Sequence, residues 1–159
     1  MATIEKSIEV RVPVSTAYDQ WTQFEEFPQF MDGVVSVKQI DDSHMRWVAE
    51  VGGDKQEWDA EIVEQERDRV IAWRSTGGLT NHGRVMFTPT SEGTRVDVAM
   101  EYEPEGMKET VGAALGFDGA QVEDDLERFK ELVENRDLPT GAWRGEIRSG
   151  EVVDSDRSL

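Results

Sequence analysis

Hydrophobic and polar residues alternate along several short stretches of this chain, a pattern typical of β-strands that are buried on one face. In the first stretch, ATIEKSIEVRV, the residues Ile4, Ile8, Val10 and Val12 share one parity, and polar or charged residues occupy the other. Six more strand-like stretches follow, at residues 34–40, 44–51, 55–65, 69–75, 81–89 and 94–104. The turns between them are short and rich in Gly, Asp and Ser, which predicts antiparallel hairpins.

Helical spacing appears in two parts of the chain. Tyr18, Trp21 and Phe24 predict a helix after the first strand, and Pro28 predicts a corner before a further helical turn through Phe30. A long amphipathic helix is predicted over residues 119–137, with one apolar stripe formed by Val122, Leu126, Phe129, Leu132 and Val133. One antiparallel sheet with helices on one face is an α+β layout, and the space between sheet and helix is a natural ligand cavity.

The remaining segments carry weaker patterns. Residues 107–117 are interrupted by glycine yet apolar enough to cover a ligand, so we interpret this segment as a gate to the cavity. Residues 139–159 lack sustained periodicity and end in polar residues. They are predicted to form a mobile C-terminal tail, docked at most through Trp143.

Composition and charge exclude several classes of protein. The net charge of −17 repels phosphate backbones and anionic membranes, so we expect neither nucleic-acid binding nor stable membrane insertion. The chain has no cysteine, and its two histidines occur without metal-ligand spacing, so neither a metal site nor a cofactor is expected. The N-terminus lacks the basic start and apolar core of a signal peptide, which predicts a cytoplasmic protein.

Aromatic and methionine side chains dominate the predicted inner faces and are the candidates for contact with a ligand. Aromatic walls suit planar or polyene molecules, and methionine adapts to irregular shapes, although ordinary core packing explains the same residues about as well. The candidate ligand-binding residues are Phe27, Phe30, Met31, Met45, Trp47, Trp58, Trp73, Phe87, Met100, Leu115, Phe117 and Phe129.

Polar candidates for catalysis are few. Arg74 precedes a glycine loop, where the strand end is predicted to turn its guanidinium inward to polarise a carbonyl. Asn81 and His82 follow the same loop, as a hydrogen-bond donor and a general base at the cavity mouth. Tyr102 shares the parity of the buried residues on its strand. A solvent-exposed position is the alternative for Arg74 and His82, and no catalytic motif such as GxSxG is present.

Four stretches carry a family resemblance: VPVSTAYDQWTQFEEFPQFMDGVVSV, WDAEIVEQERDRVIAWRS, NHGRVMFTP and DDLERFKELVE, in this order. Together they resemble the START-like SRPBCC superfamily, in particular its polyketide cyclase/dehydrase and lipid transport branch, which includes coenzyme Q-binding proteins. The resemblance implies a helix-grip fold, in which a seven-stranded antiparallel sheet wraps around the C-terminal helix and two short helices follow the first strand. It assigns residues 1–138 to one START-like domain and leaves residues 139–159 as the tail.

Three functions remain open at this point. The resemblance and the apolar inner faces favour binding of a hydrophobic small molecule, such as a lipid, a quinone or a polyketide-like compound, in an internal cavity. A polyketide cyclase or dehydratase acting in the same cavity is the alternative, and it requires polar groups inside. A protein-interaction or stress-related module with a vestigial cavity is the third possibility.

Overall fold

Seven strands form one antiparallel sheet, in the spatial order β1-β7-β6-β5-β4-β3-β2, in the computed structural model of this chain. These seven strands are β1 (Ala2–Val10), β2 (Val34–Gln39), β3 (His44–Val51), β4 (Asp54–Glu66), β5 (Val70–Gly77), β6 (Asn81–Pro89) and β7 (Thr94–Tyr102). The structure describes residues 2–31, 34–51, 54–77, 81–102, 119–136 and 139–154. The predicted antiparallel sheet is confirmed, but within these ranges it has nine strands and not seven, because two further short strands, at residues 146–148 and 151–154, join it.

Helices cover the inner face of this sheet. They are α1 (Val14–Trp21), a 3-10 helix (Phe24–Gln29) and α2 (Gly119–Glu134). Helix α2 packs along β1 and reaches α1, while the 3-10 helix packs on β2 at the opposite edge of the sheet. This is the expected α+β helix-grip arrangement. The corner predicted at Pro28 is a 3-10 helix that includes the proline, and it directs the chain from α1 to β2.

Trp21 is the centre of an aromatic cluster that joins the helices to each other. Its ring centroid lies 4.7 Å from that of Phe129 on α2, 5.7 Å from Phe27 and 5.8 Å from Phe30. Phe24 packs edge-on against Phe27 at 5.5 Å. All five rings are buried. The aromatic run around Pro28 therefore builds the core that holds α1, the 3-10 helix and α2 together.

The C-terminal segment is a packed part of the structure. Residues 146–148 form β8 and residues 151–154 form β9, and β8 pairs with β4 just beyond the point where the antiparallel β3 begins. Ile147 is fully buried, and the backbone N–H of Trp143 donates to Thr22 Oγ1 at 3.1 Å. These contacts contradict the expectation of a mobile tail over the described residues 139–154. The sequence pattern did not predict β8, because a three-residue strand is too short to show alternation.

Candidate functional site

A cavity of about 90 Å³ lies between the inner face of the sheet and α2. Its wall is largely aromatic, with Trp47, Trp58 and Trp73 contributed by three neighbouring strands and Trp21 and Phe30 by the helical side. These indoles face inward because strand alternation places them on the same side as the buried core. The site is therefore a hydrophobic enclosure of the kind that holds an apolar ligand.

Two of these tryptophans form a stacked pair. Trp47 and Trp58 are directly opposite each other in the β3–β4 register, and their rings are nearly parallel, at 12° and a centroid distance of 5.6 Å. Cross-strand aromatic pairs of this kind stabilise a hairpin by roughly 0.2–1 kcal/mol and also hold each ring in place. The cavity thus has one flat, rigid wall.

Aliphatic side chains complete the lining. Met31 follows the 3-10 helix, Val34 begins β2, and Met100 belongs to β7. Five further apolar residues line the cavity although they were not predicted as cavity candidates: Trp21, Val34, Val98, Val122 and Leu126. All of them except Val34 have the strand parity or helical spacing of the inner face. The sequence pattern therefore predicted that they face inward, but it could not distinguish a core residue from a residue of the cavity wall.

Asn81 provides an amide in this apolar wall. Its side chain is only 3% exposed, and its Oδ1 accepts a hydrogen bond from Trp73 Nε1 at 3.1 Å. Its backbone N–H donates to Ser75 Oγ at 3.0 Å. The bond from Trp73 fixes the orientation of the amide, so that Nδ2 is the donor end of the group. Among the predicted polar candidates whose side chains the structure describes, Asn81 is the one that lines the cavity.

Asp125, on α2, provides a carboxylate in the same wall. The residue is 9% exposed, and Oδ1 accepts a hydrogen bond from Arg128 at 3.1 Å. Its cavity position went unrecognised in the sequence, although a signal existed. Asp125 lies three residues after Val122 and four before Phe129, so it occupies the apolar stripe of the helix. A carboxylate in such a stripe is a functional hint because burying it costs free energy.

A second cavity, of about 50 Å³, adjoins the first. The two share the lining residues Trp21, Met31, Trp47 and Trp73. Beyond these, the second cavity is lined by Phe24, Phe27, Met45, Ile62 and Ile71. Every described residue in its wall is apolar or aromatic, whereas the first cavity also contains Asn81 and Asp125.

The structure separates the predicted ligand-binding residues into three groups. Those lining the larger cavity are Phe30, Met31, Trp47, Trp58, Trp73 and Met100, and those lining the smaller one include Phe27 and Met45. Phe87 and Phe129 instead belong to the buried core, where Phe87 packs on Tyr18 and Phe129 on Trp21. Leu115 and Phe117, together with the segment 107–117 interpreted as a gate, lie outside the described residues.

Arg74 and His82 do not reach the cavity. Both lie on the outer face of the sheet, where Arg74 Nη2 is 3.5 Å from Glu61 Oε1 and His82 Nε2 is 2.8 Å from Glu101 Oε2. The expected inward turn of Arg74 is absent because β5 continues to Gly77, so the arginine remains within regular strand alternation. Tyr102 pairs through its backbone with Asn81, but its side chain is not among those the structure describes.

Neither a metal centre nor a membrane span is found in the described part of the chain. No three His, Cys, Asp or Glu side chains there come together in a way that could hold a metal ion. Likewise, within the described ranges no helix combines the length and apolar character that crossing a bilayer requires.

A curved antiparallel sheet, a long helix across its inner face and an apolar cavity between them define a START-like helix-grip protein. The family follows from a sequence comparison. The chain belongs to the family described as polyketide cyclase / dehydrase and lipid transport, whose sequence profile matches residues 10–131.

Similar proteins support this assignment. A Streptomyces lincolnensis protein, described as an uncharacterized 17.2 kDa protein in the melC2-rnhH intergenic region, is 47% identical over 149 residues. These are 92% of this chain and 99% of that protein. A crystal structure of a protein from Deinococcus radiodurans is 29% identical, with a TM-score of 0.70, and the match covers 84% of this chain and 98% of the other.

An enzyme occurs among the similar folds. The crystal structure of the Zhui aromatase/cyclase from a Streptomyces species has a TM-score of 0.69 and covers 89% of this chain and 98% of its own. A START superfamily protein from Mycobacterium smegmatis has a TM-score of 0.62 and covers 82% of this chain and 98% of its own. At 14% and 18% identity, respectively, these likenesses show the shared fold alone.

Proposed function

We propose that this protein binds a hydrophobic small molecule, of lipid, quinone or polyketide-like character, in the cavity between the sheet and α2. The observation that carries the proposal is the wall itself, where Trp47, Trp58 and Trp73 each border the cavity in addition to their contacts with other side chains. Indoles that border empty space forgo dispersion contacts that a planar ligand restores. The family description, which includes lipid transport, agrees with such a ligand.

The size of the cavity implies that binding involves adjustment of the wall. About 90 Å³ is less than the roughly 150 Å³ of an engineered apolar cavity that holds benzene. A ligand with a fused ring system therefore requires side chains to move apart. Met31 and Met100 suit this role, because an unbranched thioether changes rotamer at little cost.

The direct test fills the cavity from a position that is not aromatic. In the Val98→Phe variant, a ring projects from β7 into the space, so binding of 2-naphthol, measured by isothermal titration calorimetry, should weaken at least about tenfold. The matched control is Ala99→Phe, which places the same ring on the outer face of the same strand. It should leave the affinity unchanged.

The natural ligand class is tested separately. The protein is purified from its host, measured intact by native mass spectrometry and extracted for identification of the bound compound. We expect a mass increment from an apolar molecule that is absent in the Val98→Phe variant. Equal affinity for 2-naphthol in both Phe variants, or no binding of 2-naphthol and no bound compound, would contradict the proposal.

A cyclase or dehydratase acting in the same cavity is the second candidate, and the pair Asn81 and Asp125 favours it. A carboxylate that accepts a proton and an amide that donates a hydrogen bond are the groups that enolisation of a carbonyl compound needs. For this candidate, Asp125→Asn should abolish turnover of a bound polyketide-like substrate but retain its binding. Unchanged products from wild type and variant would exclude Asp125 as the base.

A further inference from the structure

We propose that the ligand is an amphipathic molecule with a neutral hydroxyl-bearing end in the larger cavity and an apolar tail in the second cavity, and that Met31 sets how much tail is admitted. This inference rests on the proposed function and specifies the chemistry of the same site. It assigns a role to the second cavity, which is otherwise only a packing defect beneath β3, β4 and β5.

The two cavities differ in polarity, and this difference gives the ligand a direction. Both Asn81 and Asp125 line the larger cavity, whereas the described wall of the second cavity contains only apolar and aromatic side chains. A polar group in the second cavity would lose its hydrogen bonds to water without replacement, which is costly. An apolar chain there gains about 0.8 kcal/mol for each buried methylene.

The chemistry of the polar end follows from the two side chains. A carboxylate has four lone pairs and an amide nitrogen two hydrogens, so Asp125 and Asn81 can each take part in more than one hydrogen bond, and a hydroxyl group suits both because it is donor and acceptor at once. A carboxylate on the ligand would instead place a second negative charge beside Asp125, whose Oδ1 already accepts from Arg128, in a poorly solvated space. The net charge of −17 adds to this repulsion. A phenol, enol or alcohol therefore fits better than a fatty acid.

Four side chains line both cavities, and three of them make ring contacts or a hydrogen bond that hold them in place. Trp73 donates to Asn81, Trp47 is stacked on Trp58, and Trp21 packs against Phe129 at 4.7 Å. The fourth is Met31, which is only partly buried and follows the 3-10 helix, with its backbone N–H bonded to Phe27 O at 2.8 Å.

The backbone of Met31 is therefore anchored while its thioether chain keeps three rotatable bonds. Among the four shared residues, it is the one that can swing aside without breaking a ring contact or a hydrogen bond described here. We infer that its side chain separates the two cavities in the free protein and moves when a tail enters.

The test uses 4-methylphenol and 4-butylphenol, which share a head group and differ by three methylenes. In the wild type, calorimetry should show that 4-butylphenol binds up to roughly 60-fold more tightly, since each buried methylene contributes about fourfold. Ile71→Phe fills the second cavity, so the ratio of the two affinities should fall below about fivefold while 4-methylphenol binds as before. Met31→Ala opens the boundary and should preserve or increase the wild-type ratio for 4-butylphenol.

Folding is checked by the melting temperature, and a second blocking variant guards against an unstable Ile71→Phe. Met31→Phe places a ring at the partly buried boundary itself and should also reduce the affinity ratio. A ratio that is the same in the wild type and in both Phe variants would overturn the tail assignment and leave the proposed function standing. If neither phenol binds the wild type, while 2-naphthol also fails, the proposed function falls and this inference falls with it.

The polar end is tested with 4-butylbenzoate, which replaces the hydroxyl by a carboxylate. We expect binding at least about tenfold weaker than that of 4-butylphenol at neutral pH, and the Asp125→Asn variant should reduce this discrimination because it removes the repelling charge. Equal affinity of the two compounds for the wild type would overturn the assignment of a neutral hydroxyl-bearing end.

Discussion

At the scale of single residues, position within a strand decides which polar groups can act inside. Trp73 and Arg74 are neighbours in the chain, as are Asn81 and His82, yet one member of each pair lines the cavity and the other lies outside. The register pairs Arg74 with His82 across β5 and β6, so both remain in the outer row. The prediction that Arg74 turns inward at the end of its strand was wrong, because β5 and β6 are still paired at Arg74 and His82.

His44 lies in the same outer row, between two carboxylates. Its Nδ1 is 2.9 Å from Asp41 Oδ1, and its Nε2 is 3.3 Å from Glu61 Oε2. The hydrogen bond to Asp41 raises the pKa of His44, with a further contribution from the charge of Glu61. For Asp41, burial alone would raise the pKa, but hydrogen bonds from Ser43 and His44 outweigh it and leave the pKa lowered.

These shifts predict a stability window. A raised His44 pKa stabilises the fold below the unfolded value of about 6.5, and this contribution is lost as the pH rises through the folded pKa. The lowered Asp41 pKa stabilises the fold until the pH falls through its folded value. In urea unfolding, His44→Gln should therefore cost up to about 1 kcal/mol near pH 5.5, a surface-pair magnitude, and almost nothing near pH 8.5.

The double variant with Asp41→Asn is the control for this prediction. When the carboxylate of Asp41 is absent, the pH dependence of the His44→Gln effect should shrink. An identical loss of stability at both pH values would show that the histidine stabilises the fold by packing and not by its charge.

Arg144 makes a second, better buried charge cluster. Its guanidinium bonds Asp19 on α1 and lies 2.7 Å from Asp68 Oδ2 at the β4–β5 turn, with its carbon 5.7 Å from the centre of the Tyr18 ring. The hydrogen bond to Asp68 raises the pKa of Arg144. Burial raises the pKa of Tyr18, whose hydroxyl oxygen accepts a hydrogen bond from Gln65.

Removing this arginine should be costly. Arg144→Met leaves two partly buried carboxylates without their shared counter-charge, so we expect a loss of about 1–3 kcal/mol in the free energy of unfolding. Arg95→Met is the matched control, because its ion pair with Asp97 is exposed and should contribute less than about 1 kcal/mol. Equal losses in the two variants would mean that burial adds nothing to the Arg144 cluster.

At the scale of elements, the C-terminal segment extends the sheet and fastens α1. The backbone N–H of Thr140 donates to the side chain of Gln20 on α1. The backbone N–H of Trp143 donates to the side chain of Thr22 at the end of α1. Strand β8 then pairs with β4 and buries Ile147 in the main core. The segment thus adds hydrogen bonds to polar groups at α1, although Gln20 Oε1 also accepts one from Arg136 at 3.4 Å.

A pair of aliphatic truncations tests this role. Ile147→Ala removes a fully buried side chain and should cost about 2–5 kcal/mol of unfolding free energy. Val153→Ala changes a side chain on β9 that is 53% exposed, and it should cost less than about 0.5 kcal/mol. Chemical denaturation measures both. A negligible effect of Ile147→Ala would restore the interpretation of this segment as a mobile tail.

At the scale of the whole molecule, the excess of acidic residues dominates the long-range electrostatic interactions. The chain has 34 acidic and 17 basic residues, and the described ion pairs lie mostly on its surface. Exposed pairs contribute little stability, whereas the uncompensated negative charge repels itself in the compact state. The net effect of electrostatics on folding should therefore be unfavourable at low salt.

Salt should accordingly stabilise the protein. Raising NaCl from about 0.05 M to about 0.5 M shortens the screening length to less than 8 Å and should raise the melting temperature by a few degrees. KCl at equal ionic strength is the control and should act equally, because screening depends on charge and concentration alone. A melting temperature that falls with salt would show that the surface ion pairs outweigh the net repulsion.

The sequence by itself determined the strand order along the chain, the antiparallel sheet, the long final helix and the inward direction of Trp47, Trp58 and Trp73. Periodicity carries this information, because a strand or helix with one buried face must repeat its apolar residues at a fixed interval. Only the tertiary structure decided which inward residues border empty space and which, like Phe87 and Phe129, fill the core. Only it brought Asp125 and Asn81 into one wall and paired β8 with β4. Those outcomes depend on how the sheet, the helices and the C-terminal strands pack together in three dimensions, and the local spacing of residues does not encode that packing.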